Sequence, residues 1–236
     1  LEHDAHARLA WAARQAPLVG RQAELALLAD LWAEATRGAS RVLLLQGEPG
    51  VGKSRLVHAF EQRLDGQPHA LRRLRCFPEY SQSPFQPLLA LLESDLGFAP
   101  GDGPELKAAT LARWLAKAHP EWQGDAIAAL HSLYALPQPD QAPARDASPA
   151  RLKALTIDTL CDMLQADTSR LPMLLVVEDL HWADASTLEL LAVLVQRNRA
   201  GGLLSIFTAR PGFIAPMAIP LQTLAPLDQR EMEQLI

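Results

Sequence analysis

The chain has 236 residues, of which 49% are hydrophobic and 21% charged, with a formal net charge of -5. These values fit one large or two small globular domains and exclude wholesale disorder. The acidic balance argues against a strongly basic nucleic-acid-binding domain, although it describes the whole chain and not one face. Two cysteines, Cys76 and Cys161, are too few for a disulfide framework or a Cys-based zinc site. They read as small apolar side chains in a reducing compartment. The apolar run of residues 171–177 is far shorter than the roughly 20 residues a spanning helix needs. Pro216, Pro220 and Pro226 interrupt the longer uncharged run of residues 212–227. A soluble, cytoplasmic domain with no membrane contact is expected. Residues 1–15 carry no secretory signal or initiator Met and read as a linker or the cut end of a larger protein.

In chain order, residues 22–36 place Leu25, Leu28, Leu31 and Trp32 at three- and four-residue spacing and predict a helix, which Gly38 stops. Residues 42–46 form a continuous apolar run of strand length, as strands buried on both faces do in parallel sheets. Glycines follow at 47, 50 and 52, and a second helix is predicted from residue 53 to about residue 64. Residues 70–77 predict a strand with Arg72, Arg73 and Arg75 interleaved, which reads as an edge strand protected by charge. From residue 84 to about residue 134 the pattern turns helical. Leu88, Leu91, Leu92 and Leu96 share one face, and Leu106, Leu111, Trp114 and Leu115 mark a second amphipathic stretch.

Pro137, Pro139, Pro143 and Pro149 predict an exposed loop. Helical periodicity resumes over residues 151–165. Buried strands are predicted at 173–177 and 203–209, with a helix at 186–197 between them. A short strand within 219–224 and a helix starting near Asp228 complete the pattern. Strand, glycine turn, helix and then strands separated by helices is the α/β order of a parallel sheet. Residues 84–168 are too long for a simple crossover. They are expected to form a helical insertion packed beside the sheet, between the second and third strands.

Gly47-Glu48-Pro49-Gly50-Val51-Gly52-Lys53-Ser54 fits the pattern G-x-x-x-x-G-K-[ST]. Backbone N–H groups of such a loop must point inward at phosphate oxygens, and side chains at the glycine positions would obstruct the approach. The helix that follows presents its positive end to the same oxygens. Lys53 is expected to reach the β- and γ-phosphates and the Ser54 hydroxyl to ligate Mg²⁺, with Arg55 beside them. ATP and Mg²⁺ are therefore the expected ligands. The expected fold is an α/β P-loop NTPase whose five-stranded, mainly parallel sheet is flanked by helices. It would occupy residues 16–227, with 228–236 beginning a truncated lid helix.

Leu174-Leu175-Val176-Val177-Glu178-Asp179 is an apolar strand that ends in two acidic residues. A P-loop enzyme needs one carboxylate there to hold Mg²⁺ through water and another to orient or deprotonate the attacking water. By position Glu178 takes the metal role and Asp179 the base role, although many such strands place Asp first.

The run Glu178-Asp179-Leu180-His181-Trp182-Ala183-Asp184 resembles the "hhEDLHWAD" segment of bacterial signalling ATPases of the AAA_16/STAND group. That group includes modules of LuxR-type and SARP-type transcriptional regulators and of class III adenylate cyclase–ATPase proteins. Leu18-Val19-Gly20-Arg21-Gln22-Ala23-Glu24-Leu25 resembles the "hVGRexEl" opening of the same domain. Arg75-Cys76-Phe77 and Pro84-Phe85-Gln86-Pro87-Leu88 are similar to its second strand and the helix after it. Thr208-Ala209-Arg210-Pro211 is similar to its "TxRP" strand end, and Leu224-Ala225-Pro226-Leu227 to its junction with the lid.

The resemblance implies that Val19 and Gly20 line an adenine pocket, that Arg21 lies near the nucleotide, and that Arg210 senses the γ-phosphate. It also implies a slowly hydrolysing regulatory ATPase module. Its partners would be ATP or ADP, other domains of the same polypeptide and a second copy in one nucleotide state, without direct nucleic-acid contact. The alternatives are a nucleotide-occupied scaffold that hardly hydrolyses, and a P-loop kinase. His181 is expected in a loop, held by a hydrogen bond, with Trp182 as a packing anchor and Asp184 as the N-cap of the next helix. No GxP lid motif follows Arg210, and no residue stands out as an intersubunit arginine finger.

Overall fold

In the computed structural model the described residues are 18–99, 101–119, 122, 124–137, 148–166, 168, 171–197 and 201–227. The expectations for residues 1–15 and 228–236 lie outside them, as does most of the proline-rich stretch. Helices are α1 Gln22–Thr36, α2 Lys53–Arg63, α3 Gln86–Leu96, α4 Pro104–Ala118, α5 Asp125–Leu133, α6 Pro149–Ala166 and α7 Ala185–Arg197. Strands are β1 Arg41–Gln46, β2 Ala70–Arg75, β3 Met173–Glu178, β4 Leu203–Ala209 and β5 Leu221–Thr223. The five strands form one sheet in the order β2-β3-β4-β1-β5, and every pairing is parallel.

Strand periodicity decides which side chain meets which layer. Leu43 and Leu45 of β1, Leu174 and Val176 of β3, and Leu204 and Ile206 of β4 pack with Leu25, Leu28 and Trp32 of α1 and Leu56, Val57 and Phe60 of α2. The alternate positions, Met173, Leu175 and Val177 of β3 with Leu203 and Phe207 of β4, meet α3 to α7 on the opposite face. That second layer contains Leu88 and Leu92 of α3, Leu111 of α4, Leu130 of α5 and Leu160 and Leu164 of α6, all at most 1% exposed. The insertion thus packs against the sheet, on this second face. It supplies most of one of its two helical layers. β3 and β4 would otherwise expose a continuous apolar face, and strands buried on both sides require helices on both.

Phe207 is fully buried in this shared core. Phe207→Ala should cost about 3–5 kcal/mol. Urea denaturation should show it as a lower midpoint in a single transition with an unchanged slope. A transition that splits in two would mean that the insertion and the sheet are separate cooperative units.

β2 is the edge strand, as its charge predicts. Its arginines are paired rather than merely solvated. Arg72 donates to the Asp95 carboxylate on α3 at 2.9 Å, and Arg73 donates to both oxygens of Glu61 on α2 at 2.5 Å. Regular pairing ends at Arg75. Beyond it the Cys76 N–H donates to the Glu178 carbonyl at 3.0 Å, and a short 3-10 turn, Pro78–Tyr80, follows. Cys76 and Cys161 are both free and buried, and burial pushes each thiol up to about 12. Among the described residues no helix is long and apolar enough to cross a membrane.

Candidate phosphate and acid site at the strand carboxyl ends

An all-parallel sheet brings the carboxyl ends of its strands to one edge, where open α/β folds place their ligands. β1 delivers residues 47–54 there, β3 delivers Glu178 and Asp179, and β4 delivers Arg210. The turn after β1 depends on its glycines for two different reasons. Gly50 and Gly52 have φ of 81° and 98°, in the left-handed region that side chains rarely adopt. A Cβ on Gly47 would stand 2.7 Å from Val51 Cγ1 and 3.0 Å from the Leu224 carbonyl oxygen. Glu48, Pro49 and Gly50 are exposed on the outer side of the turn, and Ser54 is exposed in the first turn of α2.

Lys53 is 8% exposed and reaches back over the loop, donating to the Gly47 carbonyl at 2.7 Å and the Glu48 carbonyl at 3.1 Å. Burial lowers its pKa below the usual lysine value. Asp179 opposes that shift, Arg210 adds to it, and Glu48 opposes it more weakly. Lys53, Asp179 and Arg210 thus lie within electrostatic reach of one another, although they come from three separate strand ends.

Glu178 and Asp179 face different surroundings. Glu178 shares the parity of Leu174 and Val176, so its side chain lies on the α2 face of the sheet, 3% exposed. There Arg73 Nη1 stands 3.6 Å from Glu178 Oε1, and Arg75 Nε stands 3.9 Å from Oε2. Both are ion-pair distances. Oε1 is buried and has no hydrogen-bond partner. Asp179 leaves the strand with φ 58° and ψ 42°, a left-handed conformation that is rare for a residue other than glycine. Thr208 fixes it, because the Asp179 N–H donates to Thr208 Oγ1 at 3.0 Å. Strain of this kind persists only where neighbouring contacts impose it.

The exposed Ser54 and the buried Glu178 carboxylate, whose Oε1 lacks a hydrogen-bond partner, are oxygens of the kind that could serve a Mg²⁺ ion taking most of its ligands from water and phosphate. Such an ion needs only one or two protein oxygens. The described residues hold no cluster of three or more His, Cys, Asp or Glu side chains that could bind a metal.

The loop after β3 is a 3-10 turn, Leu180–Trp182. Leu180 is fully buried in the core, and Trp182 packs against that core while the Arg210 guanidinium lies 5.6 Å from its ring centre. Trp182 is a packing anchor, as expected, and also a seat for the exposed Arg210. Asp184 caps α7 through Oδ1, which accepts from the Ser186 and Thr187 N–H groups at 2.9 and 3.0 Å. The same oxygen accepts from the Phe85 N–H at 3.3 Å, tying the start of α3 to this loop. The expected hydrogen bond to His181 is not formed. Both ring nitrogens are buried without a partner.

A second hollow beside the glycine turn is lined by Leu18, Val19, Arg21, Gly50, Val51, Gly52, Arg55 and Leu227. Gly20 supplies the bend into it, with φ 69°. Arg21 is 5% exposed and its guanidinium is engaged. It pairs with Glu24 at 3.0 Å and donates to the carbonyls of Val51 at 3.3 Å and Ala225 at 2.5 Å. Arg21 therefore clamps the segment after β5 to the glycine turn. Arg55 is the freer guanidinium, with Nε and Nη2 buried and lacking hydrogen-bond partners.

Thr208, Arg73 and Arg75 were not legible as site residues. Their approach to Asp179 and Glu178 follows from the strand order and from the register that sets Arg75 opposite Glu178. Neither can be read from a single strand.

The model of the AAA ATPase domain family matches residues 17–206, most of the chain, which therefore belongs to that family. An uncharacterized protein of Rhizobium meliloti (strain 1021) is 28% identical over 222 residues, covering 91% of this chain and 21% of that protein. The chain thus spans about a fifth of that relative's length. Among solved structures, Drosophila ORC bound to DNA is 14% identical with a TM-score of 0.50, covering 93% of this chain and 45% of that one. A signal transduction ATPase with numerous domains (STAND) protein from Pyrococcus horikoshii is 14% identical with a TM-score of 0.39, covering 94% of this chain and 26% of that one. At this identity the likeness extends to the fold alone.

Proposed function

We propose that this AAA ATPase domain binds ATP with Mg²⁺, hydrolyses it slowly, and serves as a regulatory switch within a longer signalling or transcription-regulating polypeptide. The reading rests on one observation above all. The glycine turn, with Gly50 and Gly52 in left-handed conformations and Lys53 buried behind it, stands at the same strand-end edge as Asp179 and Arg210.

In this reading the glycine turn and the N-terminus of α2 hold the phosphates, and Lys53 leaves its loop carbonyls for the β- and γ-oxygens. Mg²⁺, held by Ser54 and by Glu178 through water, would neutralise charge developing on the phosphates. Asp179 orients a water in line with the γ-phosphorus and takes its proton. A bond from the water oxygen to phosphorus forms as the bond to the β–γ bridging oxygen breaks, giving ADP and inorganic phosphate. The hollow lined by Val19, Gly52 and Arg55 takes the nucleoside, with Arg21 holding its wall.

Arg210 reports which nucleotide is bound, since a guanidinium can pair with a γ-phosphate oxygen that ADP lacks. Its move off Trp182 would bias attached domains or self-association. DNA contact, which Drosophila ORC makes, is assigned to other parts of a longer protein. Arg210→Ala should retain ADP affinity and lose most of the preference for ATP when both are titrated by calorimetry. Equal losses for the two nucleotides would remove the sensor role.

A nucleotide-occupied scaffold with negligible hydrolysis is the second reading. It is favoured by the two guanidinium groups near Glu178, which offset the charge that a metal-binding acid would offer.

A further inference from the structure

The turn after β3 is fixed at both ends, and each of its other side chains has an assigned place. Asp179 is held by Thr208, Leu180 sits in the core, Trp182 packs against that core and seats Arg210, and Asp184 caps α7. The turn itself is closed by the Trp182 N–H donating to the Asp179 carbonyl at 2.8 Å and the Ala183 N–H donating to the Leu180 carbonyl at 3.0 Å. Of the side chains of this turn, His181 alone has buried polar atoms without a partner. Its Nδ1 and Nε2 are both buried and neither has a hydrogen-bond partner.

Native proteins rarely leave a buried donor or acceptor unsatisfied, because the group loses its water and gains nothing in return. An orphaned ring at a rigid turn calls for a partner that the chain does not itself supply. The charged groups acting on this ring indicate where such a partner would sit. They are Asp179, Arg210 and Lys53, the three residues that converge at the strand ends. The Trp182 ring lies 4.9 Å away at 44°, which limits reorientation of the imidazole on that side.

We infer that His181 is a further nucleotide-contacting residue, whose ring N–H donates a hydrogen bond to an oxygen of the terminal phosphate of a bound nucleoside triphosphate. The assignment rests on the ATP-binding reading above and adds a residue to it. Burial lowers the imidazole pKa, with Asp179 opposing the shift and Arg210 and Lys53 adding to it. That shift favours the neutral ring, in which one nitrogen is a donor and the other an acceptor. A neutral donor suits a site that already holds Lys53 and Arg210. It can mark the γ-phosphate without adding a third positive charge. The acceptor nitrogen is left for a water on the same side as Asp179.

The experiment is a pair of calorimetric titrations, ADP and a non-hydrolysable ATP analogue with Mg²⁺, on the wild-type chain and on His181→Phe, His181→Asn and His181→Gln. The expected result is a loss of about tenfold in analogue affinity for His181→Phe, with ADP affinity held within about twofold. A factor of ten corresponds to about 1.4 kcal/mol. At least one amide variant, which restores a donor near one ring nitrogen, should recover the analogue affinity. A residue that only packs the loop would weaken both nucleotides together and gain nothing from an amide. That result overturns the assignment, as does a His181→Phe variant that binds both nucleotides as wild type does. If the wild type binds neither nucleotide, the reading of the phosphate site falls and takes this assignment with it.

Discussion

Lys53→Ala should leave no measurable ATP binding in a calorimetric titration. The side chain is almost fully buried, and its ammonium is held only by the carbonyls of Gly47 and Glu48, the loop expected to surround the phosphates. Deleting a buried, hydrogen-bonded charge typically costs about 2–5 kcal/mol. At about 1.4 kcal/mol per tenfold, that loss moves a micromolar site beyond the range of the experiment. The fold should survive, because Lys53 lies in the first turn of α2 and the core contacts of that helix are made by Leu56, Val57 and Phe60. Far-UV circular dichroism should therefore match wild type. Retained micromolar affinity would sink the assignment of residues 47–54 as the phosphate site.

Asp179→Asn should lower phosphate release by about 10²–10⁴-fold, the usual contribution of a positioned general base, while leaving ATP affinity nearly unchanged. Asparagine tolerates the left-handed backbone that Asp179 adopts, so the N–H bond to Thr208 can persist. The substitution removes the negative charge that opposes the lowering of the Lys53 pKa. Comparison with Glu178→Gln separates the two acids. Glu178 should act on metal dependence, since its buried carboxylate oxygen is without a hydrogen-bond partner, whereas Asp179 should act on the chemical step at saturating Mg²⁺. If Asp179→Asn releases phosphate as fast as wild type, Asp179 is not the base, and if neither releases any, the nucleotide-occupied scaffold is the better description.

Much of the frame was legible because it rests on local pattern. The 3.6-residue spacing of Leu25, Leu28 and Trp32 predicts α1 over Gln22–Thr36, where the structure places it. The all-apolar run 203–209 is β4, buried at every position. The glycine turn needs only eight consecutive residues, and its conformation follows from which of them lack a side chain.

What stayed hidden depends on distant pairings. The insertion was expected beside the sheet and packs against it, but periodicity shows only that Leu88, Leu92 and Leu160 are apolar, not which face of the sheet they cover. The arginines of β2 read as edge protection. That part holds, but the β2–β3 register also turns Arg73 and Arg75 toward Glu178. His181 is the clearest case. A histidine in a polar loop ordinarily finds a partner, and only the folded turn shows that both its ring nitrogens are buried without one.

Following the terminal phosphate of labelled ATP tests the central claim most directly. With Mg²⁺ present and no other acceptor, inorganic phosphate and ADP should appear slowly and in equal amounts from the wild-type chain, and this release should be lost in Asp179→Asn and in Lys53→Ala. Label transferred to any acceptor other than water, or ATP recovered intact from a protein that binds it tightly, would contradict it.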